Sequence, residues 1–317
     1  MKNSTPLTAG IDTAKDKLDV AVHTSPLRLA VENRLSGYKQ IVVELRKAGV
    51  TRVGIEATGG YERGVVSCLR KAGFEIVLLQ PLQVKAFARL HLRRAKNDAL
   101  DAALIAACTA HITPHATEHD PRIMPLADAL TYVEQIEEDI IRGKTRLEKT
   151  VDPRLSRLMA ADIKRLEVRR AAELRRIVEA LRKHDDLARR IDLVQSIPGI
   201  GERTAVAIVL RMPEIGTISR EQAASLAGLA PFDDDSGRHK GQRHVAGGRD
   251  RLRRSLYAAA LPAAFRWNDA LVALYRRLTA RGKPHKLALV ACARKLLIYA
   301  NTVVARDSPW QKGPATA

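Results

Sequence analysis

Strand and helix signals alternate over the first part of the chain, and this order constrains the fold more than any other feature. Short apolar stretches with strand-like alternation come first, a helix follows, and later strands are each followed by a helix. A hairpin start followed by such alternation predicts a mixed sheet with helices on its faces. The predicted strands are residues 8–12, 18–22, 28–32, 52–56 and 74–79, and the predicted helices are residues 36–48, 59–71, 82–92 and 95–107.

Acidic residues stand at the ends of two of these strands. Asp12 ends the first strand and Glu56 ends the fourth. The element order resembles that of the ribonuclease H/RuvC-like fold, in which the first and fourth strands are neighbours. The helix of residues 95–107, with Asn97 as its expected N-cap, carries Asp98 and Asp101 on one face, because residues three apart are neighbours on a helix. Four carboxylates would then converge, and carboxylate oxygens suit a divalent metal ion.

Each of these acids also has a simpler interpretation. Asp12 can cap the following turn, Glu56 can cap the next helix, and Asp98 and Asp101 can favour a first helical turn through the helix dipole. We expect Asp19, a competing acid like Asp16 and Glu62, to face solvent. The four acids in this strand order together favour the metal site.

The charge balance indicates a polyanionic partner. Lys and Arg number 54 against 35 Asp and Glu, a formal net charge of +19. Such an excess is typical of proteins that bind nucleic acid. Aromatic residues make up only 4% of the chain, which argues against binding driven mainly by base stacking and favours contact with backbone phosphates.

Cysteine usage and hydropathy indicate the compartment. Cys68, Cys108 and Cys292 are far apart in sequence, which suits buried thiols in a reducing compartment. The chain contains no run of about 18 consecutive apolar residues, so no membrane span or secretion signal is expected. We therefore expect a cytoplasmic protein that is nucleoid-associated when it acts.

The middle of the chain predicts a helical hairpin. Apolar residues recur at helical spacing over residues 126–193, and Asp152-Pro153 interrupts them. Two helices joined there would form an antiparallel coiled coil. A solvated helical pair is the favoured interpretation, and a self-association arm whose basic face touches nucleic acid is the alternative.

The last third carries two candidate DNA-contacting features. A Pro-Gly-Ile-Gly turn between helices resembles a helix-hairpin-helix element, and Gly199 and Gly201 would let backbone N–H groups approach a phosphate. The alternative is a plain turn. A basic helix over residues 247–265 adds Arg249 and Arg253 as candidate nucleic-acid contacts. Trp267 and Tyr275 are expected to anchor the core of this region.

A charged, glycine-containing loop over residues 229–244 contains a candidate nucleophile. Ser236 stands among the cationic side chains of Arg238, Lys240 and Arg243. Cations around a serine can stabilise the charge that develops when it attacks a phosphate. A simple turn residue is the favoured alternative for Ser236 on these residues alone.

Taken in order, these motifs resemble the DEDD transposases of the insertion sequence 110 type, a family that also includes the Piv-type DNA invertases. The resemblance rests on Gly-Ile-Asp12, Gly-Ile-Glu56-Ala-Thr-Gly, Lys-Asn-Asp98-Ala-Leu-Asp101, Ile-Pro-Gly-Ile-Gly, Ala-Gly-Leu-Ala-Pro, Asp-Ser236-Gly and the Gly-Gly-Arg…Leu-Arg-Arg run. It covers nearly the whole chain. Asn97 is a departure, since Thr is commoner there in the family.

The resemblance implies a domain organisation and a site. It implies a RuvC-like catalytic domain over residues 1–122, a coiled-coil hairpin over 123–193 and a mostly helical transposase domain over 194–317. The four acids would bind Mg²⁺, and Ser236 would be the nucleophile of a phosphoserine intermediate. Subunits would associate through the coiled coil as a dimer or tetramer, with acids and serine of one active site coming from different subunits.

The implied activity is DNA transposition or site-specific recombination, guided by a structured non-coding bridge RNA encoded by the element. Two other enzymes remain open, namely a Piv-type DNA invertase and a RuvC-like junction-resolving nuclease that uses the acids without the serine. A non-catalytic nucleic-acid-binding protein is a third alternative, from a different functional class.

Overall fold

A computed structural model describes residues 7–57, 59–91, 98–112, 120–232, 235–236, 239–240 and 244–311. Side chains are described for these residues except 98–100, 232, 235–236 and 239–240. The chain divides into two compact units, Met1–Ala116 and Thr117–Ala317. The first is a mixed α/β unit and the second is mostly helical. The predicted boundaries at residues 122 and 193 stay predictions.

A five-stranded mixed sheet forms the first unit, in the order β3-β2-β1-β4-β5. β1 pairs antiparallel with β2, which pairs antiparallel with β3, whereas β1–β4 and β4–β5 are parallel. The expectation that the first and fourth strands are neighbours is therefore confirmed. The strands are β1 Thr8–Thr13, β2 Lys17–Val22, β3 Arg28–Glu32, β4 Arg52–Glu56 and β5 Glu75–Leu79.

Helices cover both faces of this sheet. On one face, Ile41 of α1 and Leu69 of α2 pack with the buried strand residues Ile11 and Ile55. On the other face, α4 lies over β1 and β4, and Leu79 packs with Val84 of α3 and Ile105 of α4. The helices are α1 Leu35–Lys47, α2 Arg63–Lys71, α3 Pro81–Leu90 and α4 Asp98–His111. The expected N-cap Asn97 lies outside the described residues.

Eight helices and a π-helical turn, Ala263–Trp267, are described in the second unit. They share one large core that includes Leu130, Leu181, Ile208 and Leu256. The helices are α5 Ile123–Leu147, α6 Pro153–Arg182, α7 Asp185–Gln195, α8 Glu202–Arg211, α9 Arg220–Leu226, α10 Asp250–Pro262, α11 Asp269–Ala280 and α12 His285–Ala305.

The long helices α5 and α6 form the expected antiparallel hairpin. Ile136, Ile140 and Ile163 pack between them, and Lys144 pairs with Glu167 at 2.9 Å. Asp152 turns the chain, because its side chain accepts hydrogen bonds from the backbone N–H groups of the first turn of α6. The expectation of one second helix to residue 193 is wrong. α6 ends at Arg182, and α7 begins at Asp185. Coiled-coil geometry stays a prediction.

The helix α12 is long and apolar enough to cross a membrane by length and composition alone. Half of its most apolar 18-residue stretch is buried inside the unit. Its buried residues Leu289, Leu296 and Val303 belong to the core shared with the other helices. Its hydropathy is therefore accounted for by packing in the core.

A buried ionic cluster joins α5 to α8 and α10. Glu134 on α5 has a side chain only 9% exposed. It lies 2.7 Å from Arg211, 2.8 Å from Arg251 and 3.5 Å from Arg203. Arg203 also pairs with Glu137, one turn along α5, at 2.9 Å. Burial lowers the pKa of Arg211, and the negative charge of Glu134 opposes that effect. We call this group of five residues the Glu134 cluster.

Candidate active site

Strand alternation places two acids on the same face of the sheet. In β1, Ile11 faces α1 and α2, so Gly10 and Asp12 face α4. In β4, Ile55 faces α1 and α2, so Gly54 and Glu56 face α4. The parallel register pairs Gly10 with Gly54 and Ile11 with Ile55. Asp12 and Glu56 follow directly and are therefore side by side.

Two glycines bring α4 against this face. A Cβ added at Gly10 would stand 2.2 Å from the backbone N of Ala106 and 2.3 Å from the carbonyl O of Ala102. A Cβ added at Gly54 would stand 1.7 Å from the Oγ1 of Thr109. The Thr8 hydroxyl also donates to the Ala106 carbonyl at 3.2 Å. The helix backbone is therefore held directly on β1 and β4.

This packing brings Asp101 to the two strand acids. Asp101 precedes Ala102 on α4. Burial raises the pKa of the Glu56 carboxyl, and the negative charges of Asp12 and Asp101 raise it further, while Lys85 lowers it. Glu56 is thus electrostatically coupled to two of the other three predicted acids. Carboxylates that repel one another in this way are suited to a divalent cation, which neutralises them.

The fourth acid, Asp98, is the first residue of α4. It stands one helical turn before Asp101, on the same side of the helix. Its side chain lies outside the described residues. Among the described side chains, no group of three His, Cys, Asp or Glu forms a metal-binding cluster by itself. That Asp98 completes a divalent metal site with the other three acids stays a prediction.

A further acid on this face was missed from the sequence. Asp19 lies opposite Asp12 in the β1–β2 register, and its side chain is 15% exposed. It pairs with Lys17 at 2.9 Å. The expectation that Asp19 faces solvent is therefore wrong. Leu18 and Val20 face the core on the other side of the sheet. This alternation in the sequence indicates that Asp19 lies on the same face as Asp12.

The segment around Ser236 contains short strands instead of a plain loop. Ser236 lies in the two-residue strand β7, Asp235–Ser236, which pairs antiparallel with β8, His239–Lys240. A second short pair joins β6, Pro231–Phe232, to β9, His244–Val245. Only the backbone is described for Ser236 and Lys240, and Arg238 and Arg243 lie outside the described residues. Their predicted roles stay predictions.

The predicted phosphate-contacting turn lies between α7 and α8. Gly199 adopts a positive φ of 97°, and a Cβ added there would meet the Cβ of Ala263 at 2.4 Å. Gly201 is the exposed N-cap residue of α8, and nothing lies within 4 Å of its added Cβ. Gly199 thus serves packing against the π-helical turn, whereas Gly201 is accessible.

The two predicted DNA-contacting arginines make contacts within the fold. Arg249 pairs with both carboxylate oxygens of Glu214, at 2.6 and 2.8 Å. Arg253 donates to the Gly247 carbonyl at 2.5 Å and to the Gly228 carbonyl at 3.4 Å. Both guanidinium groups hold the segment that follows β9 onto the helices. Their contact with nucleic acid stays a prediction.

Two family models match separate parts of the chain. One, described as a transposase of the DEDD IS110 type, matches residues 9–153, from β1 to the start of α6. The other, described as the transposase IS116/IS110/IS902 family, matches residues 191–276, from α7 into α11. Together they cover most of the chain and both describe the same family. The chain belongs to the IS110 family of transposases.

Relatives of this IS110-family transposase agree with that assignment. It is 25% identical to the pilin gene-inverting proteins of Moraxella bovis and Moraxella lacunata, over 96% of this chain and 97% of each relative. It is 36% identical to the insertion element IS110 uncharacterized 43.6 kDa protein of Streptomyces coelicolor, over 32% of this chain and 26% of that protein. The family and these relatives identify a DNA recombinase or transposase enzyme whose partner is DNA.

The matched ranges divide the candidate site between the two models. Asp12, Glu56, Asp98 and Asp101 fall in the first range, and Ser236 falls in the second. The Glu134 cluster has members in both, because α5 lies in the first range and α8 in the second.

Proposed function

We propose that this IS110-family transposase recombines DNA through a transient phosphoserine link, with Mg²⁺ held by Asp12, Glu56, Asp98 and Asp101 and with Ser236 as the nucleophile. The observation that carries the proposal is the gathering of Asp12, Glu56 and Asp101 where α4 crosses β1 and β4, with the pKa of Glu56 raised by burial and then by its acidic neighbours. The strand order β3-β2-β1-β4-β5 supports a RuvC-like domain. When bound, the metal ion supplies Lewis-acid stabilisation of charge on the scissile phosphate and the leaving oxygen.

Ser236 carries out the covalent step in this proposal. Its Oγ attacks the phosphorus of a DNA phosphodiester and loses its proton as the new ester bond forms. One DNA oxygen leaves the phosphorus and takes up a proton. The bond energy is kept in the serine ester, so attack by the hydroxyl of another DNA end regenerates the serine and joins the strands. The cationic residues Arg238, Lys240 and Arg243 stabilise the charge on the phosphate.

Recombination assays test both halves of this mechanism. The expected result is that Asp12→Ala and Ser236→Ala each abolish recombination of a circular element. Denaturing gels with end-labelled DNA should show a protein–DNA adduct for the unsubstituted protein and none for Ser236→Ala. Full recombination by either variant, or an adduct that persists in Ser236→Ala, would sink the serine mechanism.

A structured bridge RNA that pairs donor and target DNA is the guide in this proposal. The net charge of +19 and the 4% of aromatic residues support binding of a folded RNA through its backbone. Sequencing the RNA that copurifies with the protein from its native host tests this directly. A discrete transcript from the DNA flanking the gene is expected, and only bulk cellular RNA in the copurified material would contradict it.

A Piv-type invertase is the second candidate, and one observation favours it. The relatives that this chain covers almost from end to end are named as pilin gene-inverting proteins. The invertase and the transposase share the cleavage chemistry, so the flanking DNA distinguishes them. Inverted recombination sites beside the gene favour inversion of a fixed segment, whereas a structured non-coding region favours a mobile element.

A RuvC-like junction-resolving nuclease is the remaining alternative, with water in place of Ser236 as the nucleophile.

Association through the α5–α6 hairpin into a dimer or tetramer completes the proposal. Sedimentation velocity of the full chain measures the oligomer, and a monomer at all concentrations would contradict this part.

A further inference from the structure

The π-helical turn Ala263–Trp267 exposes two aromatic rings. Phe265 is 53% exposed and Trp267 is 58% exposed, which makes them the two most exposed large aromatic side chains among those described. The expectation that Trp267 anchors the core is therefore wrong. Asn268, next along the chain, is only 3% exposed and takes the inward position instead. Exposed apolar groups gathered at one place mark interaction sites. We call Phe265 and Trp267 the aromatic turn.

Hydrogen bonds and close packing hold the backbone of the aromatic turn. The backbone N of Asn268 donates to the Ala263 carbonyl at 3.0 Å, which closes the π turn. The Asn268 side chain accepts from the Leu271 backbone N at 3.3 Å and donates to the Pro198 carbonyl at 3.1 Å. Gly199 packs against Ala263. Because these contacts hold the backbone of the turn, little backbone ordering is required when the rings bind a ligand.

A cluster of tilted rings supports Phe265. Its ring centroid lies 4.8 Å from that of Tyr275 and 6.2 Å from that of His285. The Tyr275 hydroxyl and the Nδ1 of His285 are 2.7 Å apart, which fixes both rings. Tyr275 is half-buried and packs against the core, so it is an anchor as expected. Phe265 is thus an exposed member of an ordered cluster of rings.

The sequence that contains the aromatic turn and follows it is strongly basic, which suits a nucleic-acid strand. The guanidinium of Arg266 lies 5.3 Å from the centroid of the Trp267 ring. Residues 261–287 contain six Lys and Arg residues and a single acidic residue, Asp269. All six are exposed, namely Arg266, Arg276, Arg277, Arg281, Lys283 and Lys286. Exposed rings flanked by cations are the pattern that binds single strands, with bases on the rings and phosphates on the cations.

We propose that the aromatic turn stacks unpaired DNA bases of the strands that are opened during recombination. The low aromatic content of the whole chain gives no indication of this site, because two exposed rings on one turn are enough to form it. The inference goes beyond the proposed chemistry and uses neither the acids nor Ser236. It is tested by binding alone, so its failure is distinguishable from failure of the serine mechanism.

The two tryptophans of the chain make a direct measurement possible. Trp310 is half-buried against Tyr299, with ring centroids 4.4 Å apart, so Trp310→Phe leaves Trp267 as the only fluorescent indole. The full-length Trp310→Phe protein is titrated in EDTA with oligothymidylate of about 12 nucleotides. A strand of equal length with abasic tetrahydrofuran sites, and a duplex, serve as comparisons. Oligothymidylate should quench Trp267 and bind about 5- to 150-fold more tightly than the abasic strand. Equal affinity for the two strands would overturn the proposal.

Anisotropy of a labelled oligothymidylate assigns the binding to the turn. Phe265→Ala and Trp267→Ala should each weaken binding about 5- to 150-fold, whereas Trp267→Phe should retain it within about threefold. Tyr132→Ala is the matched control, since Tyr132 is 41% exposed on α5 of the same unit. Unchanged affinity in both alanine variants, or an equal loss in Tyr132→Ala, would overturn the assignment.

Related measurements test two other partners of the aromatic turn, namely RNA and a second subunit. Tighter binding of an oligouridylate of equal length than of the DNA strand would assign the rings to RNA instead. Sedimentation velocity of Trp267→Ala without DNA should give the oligomer of the unsubstituted protein. A smaller species with unchanged oligonucleotide affinity would assign the rings to a contact between subunits and overturn the proposal.

Discussion

Gly10 and Gly54 lie opposite each other in the parallel β1–β4 register, and α4 rests on both of them. An added Cβ at Gly10 would stand within 2.3 Å of backbone atoms of α4, and one at Gly54 would stand 1.7 Å from the Oγ1 of Thr109, so a larger residue has to displace the helix backbone at Gly10 and the Thr109 side chain at Gly54. The acids two residues further on, Asp12 and Glu56, are therefore brought to Asp101 by glycine packing. The glycines are positioning residues for the acidic cluster.

Gly54→Ala should destabilise the first unit and displace α4. The added methyl group would meet the Oγ1 of Thr109 at 1.7 Å. Overpacking of this kind costs about 1–3 kcal/mol. Chemical denaturation measures the loss in unfolding free energy. A double variant with Thr109→Ala should lose less than the sum of the two single variants, because the Oγ1 in the way has been removed.

The decisive result is the sign of the coupling energy between Gly54→Ala and Thr109→Ala. Thr109→Ala alone removes a hydroxyl that donates to the Ile105 carbonyl within its own helix at 2.6 Å, so its own effect should be small. Strict additivity of Gly54→Ala and Thr109→Ala would mean that α4 does not rest on Gly54 through Thr109.

Much of the first unit could be predicted from strand alternation and element order. Every strand was predicted within about two residues of its observed bounds. The neighbouring positions of Asp12 and Glu56 followed from the parallel order of the first and fourth strands. Asp19 was misplaced although the same alternation governs β2. The charge of Asp19 predicted that it faces solvent, whereas α4 covers that face of the sheet and the Asp19 side chain is only 15% exposed.

The second unit was less predictable, for two physical reasons. The Glu134 cluster joins residues far apart in sequence, such as Glu134 and Arg251, and no local pattern indicates which charges pair across a helical core. Trp267 was expected in the core because large aromatics usually are buried. The π turn adds a residue to the helical repeat, so the inward position passes to Asn268, which hydrogen bonds allow to be buried.

Glu56→Gln should stabilise the metal-free protein at neutral pH. The folded pKa of Glu56 is raised above its ordinary value of 4.5 by burial, Asp12 and Asp101. Between these two pKa values the folded protein holds a proton that the unfolded chain has released, so stability falls as pH rises from 4.5 through the folded pKa of Glu56. Thermal unfolding in EDTA should show a higher Tm for Glu56→Gln at pH 7 and a difference that shrinks towards pH 4.5.

Mg²⁺ should counteract this difference in Tm between the two proteins. A ligand that binds only the folded state raises its Tm, and removal of a ligand carboxylate weakens that effect. The unsubstituted protein should gain more from Mg²⁺ than Glu56→Gln does. Glu44→Gln on α1, which pairs with Lys47 on the opposite face of the sheet, is the matched control. An identical Mg²⁺ response in all three proteins would contradict a metal role for Glu56.

Glu134→Ala should destabilise the second unit strongly. The substitution leaves Arg211, whose side chain is 14% exposed, and its neighbour Arg251 without their shared carboxylate. Loss of one partner from a buried ion pair costs about 3–5 kcal/mol, because the remaining charge is left uncompensated. Urea unfolding monitored by circular dichroism measures the change.

Glu138→Ala on the same helix is the matched control for this variant. Glu138 pairs with Arg254 at 3.1 Å, but its side chain is 49% exposed and Arg254 is 58% exposed. Exposed pairs contribute about 0–1 kcal/mol. Comparable losses in Glu134→Ala and Glu138→Ala would show that burial does not set the strength of the cluster.

A mixture of two inactive variants should form the covalent intermediate if the acids and the serine of one active site come from different subunits. Asp12→Ala keeps Ser236, and Ser236→Ala keeps Asp12. Neither variant alone can assemble a complete site, whereas a mixed oligomer assembles one that contains the acids of one chain and the serine of the other. With a size tag on the Asp12→Ala chain, denaturing gels should place the labelled DNA on the tagged chain only. Replacing that chain by the Asp12→Ala/Ser236→Ala double variant should abolish the adduct, and an inactive mixture would instead indicate that both groups act within a single chain.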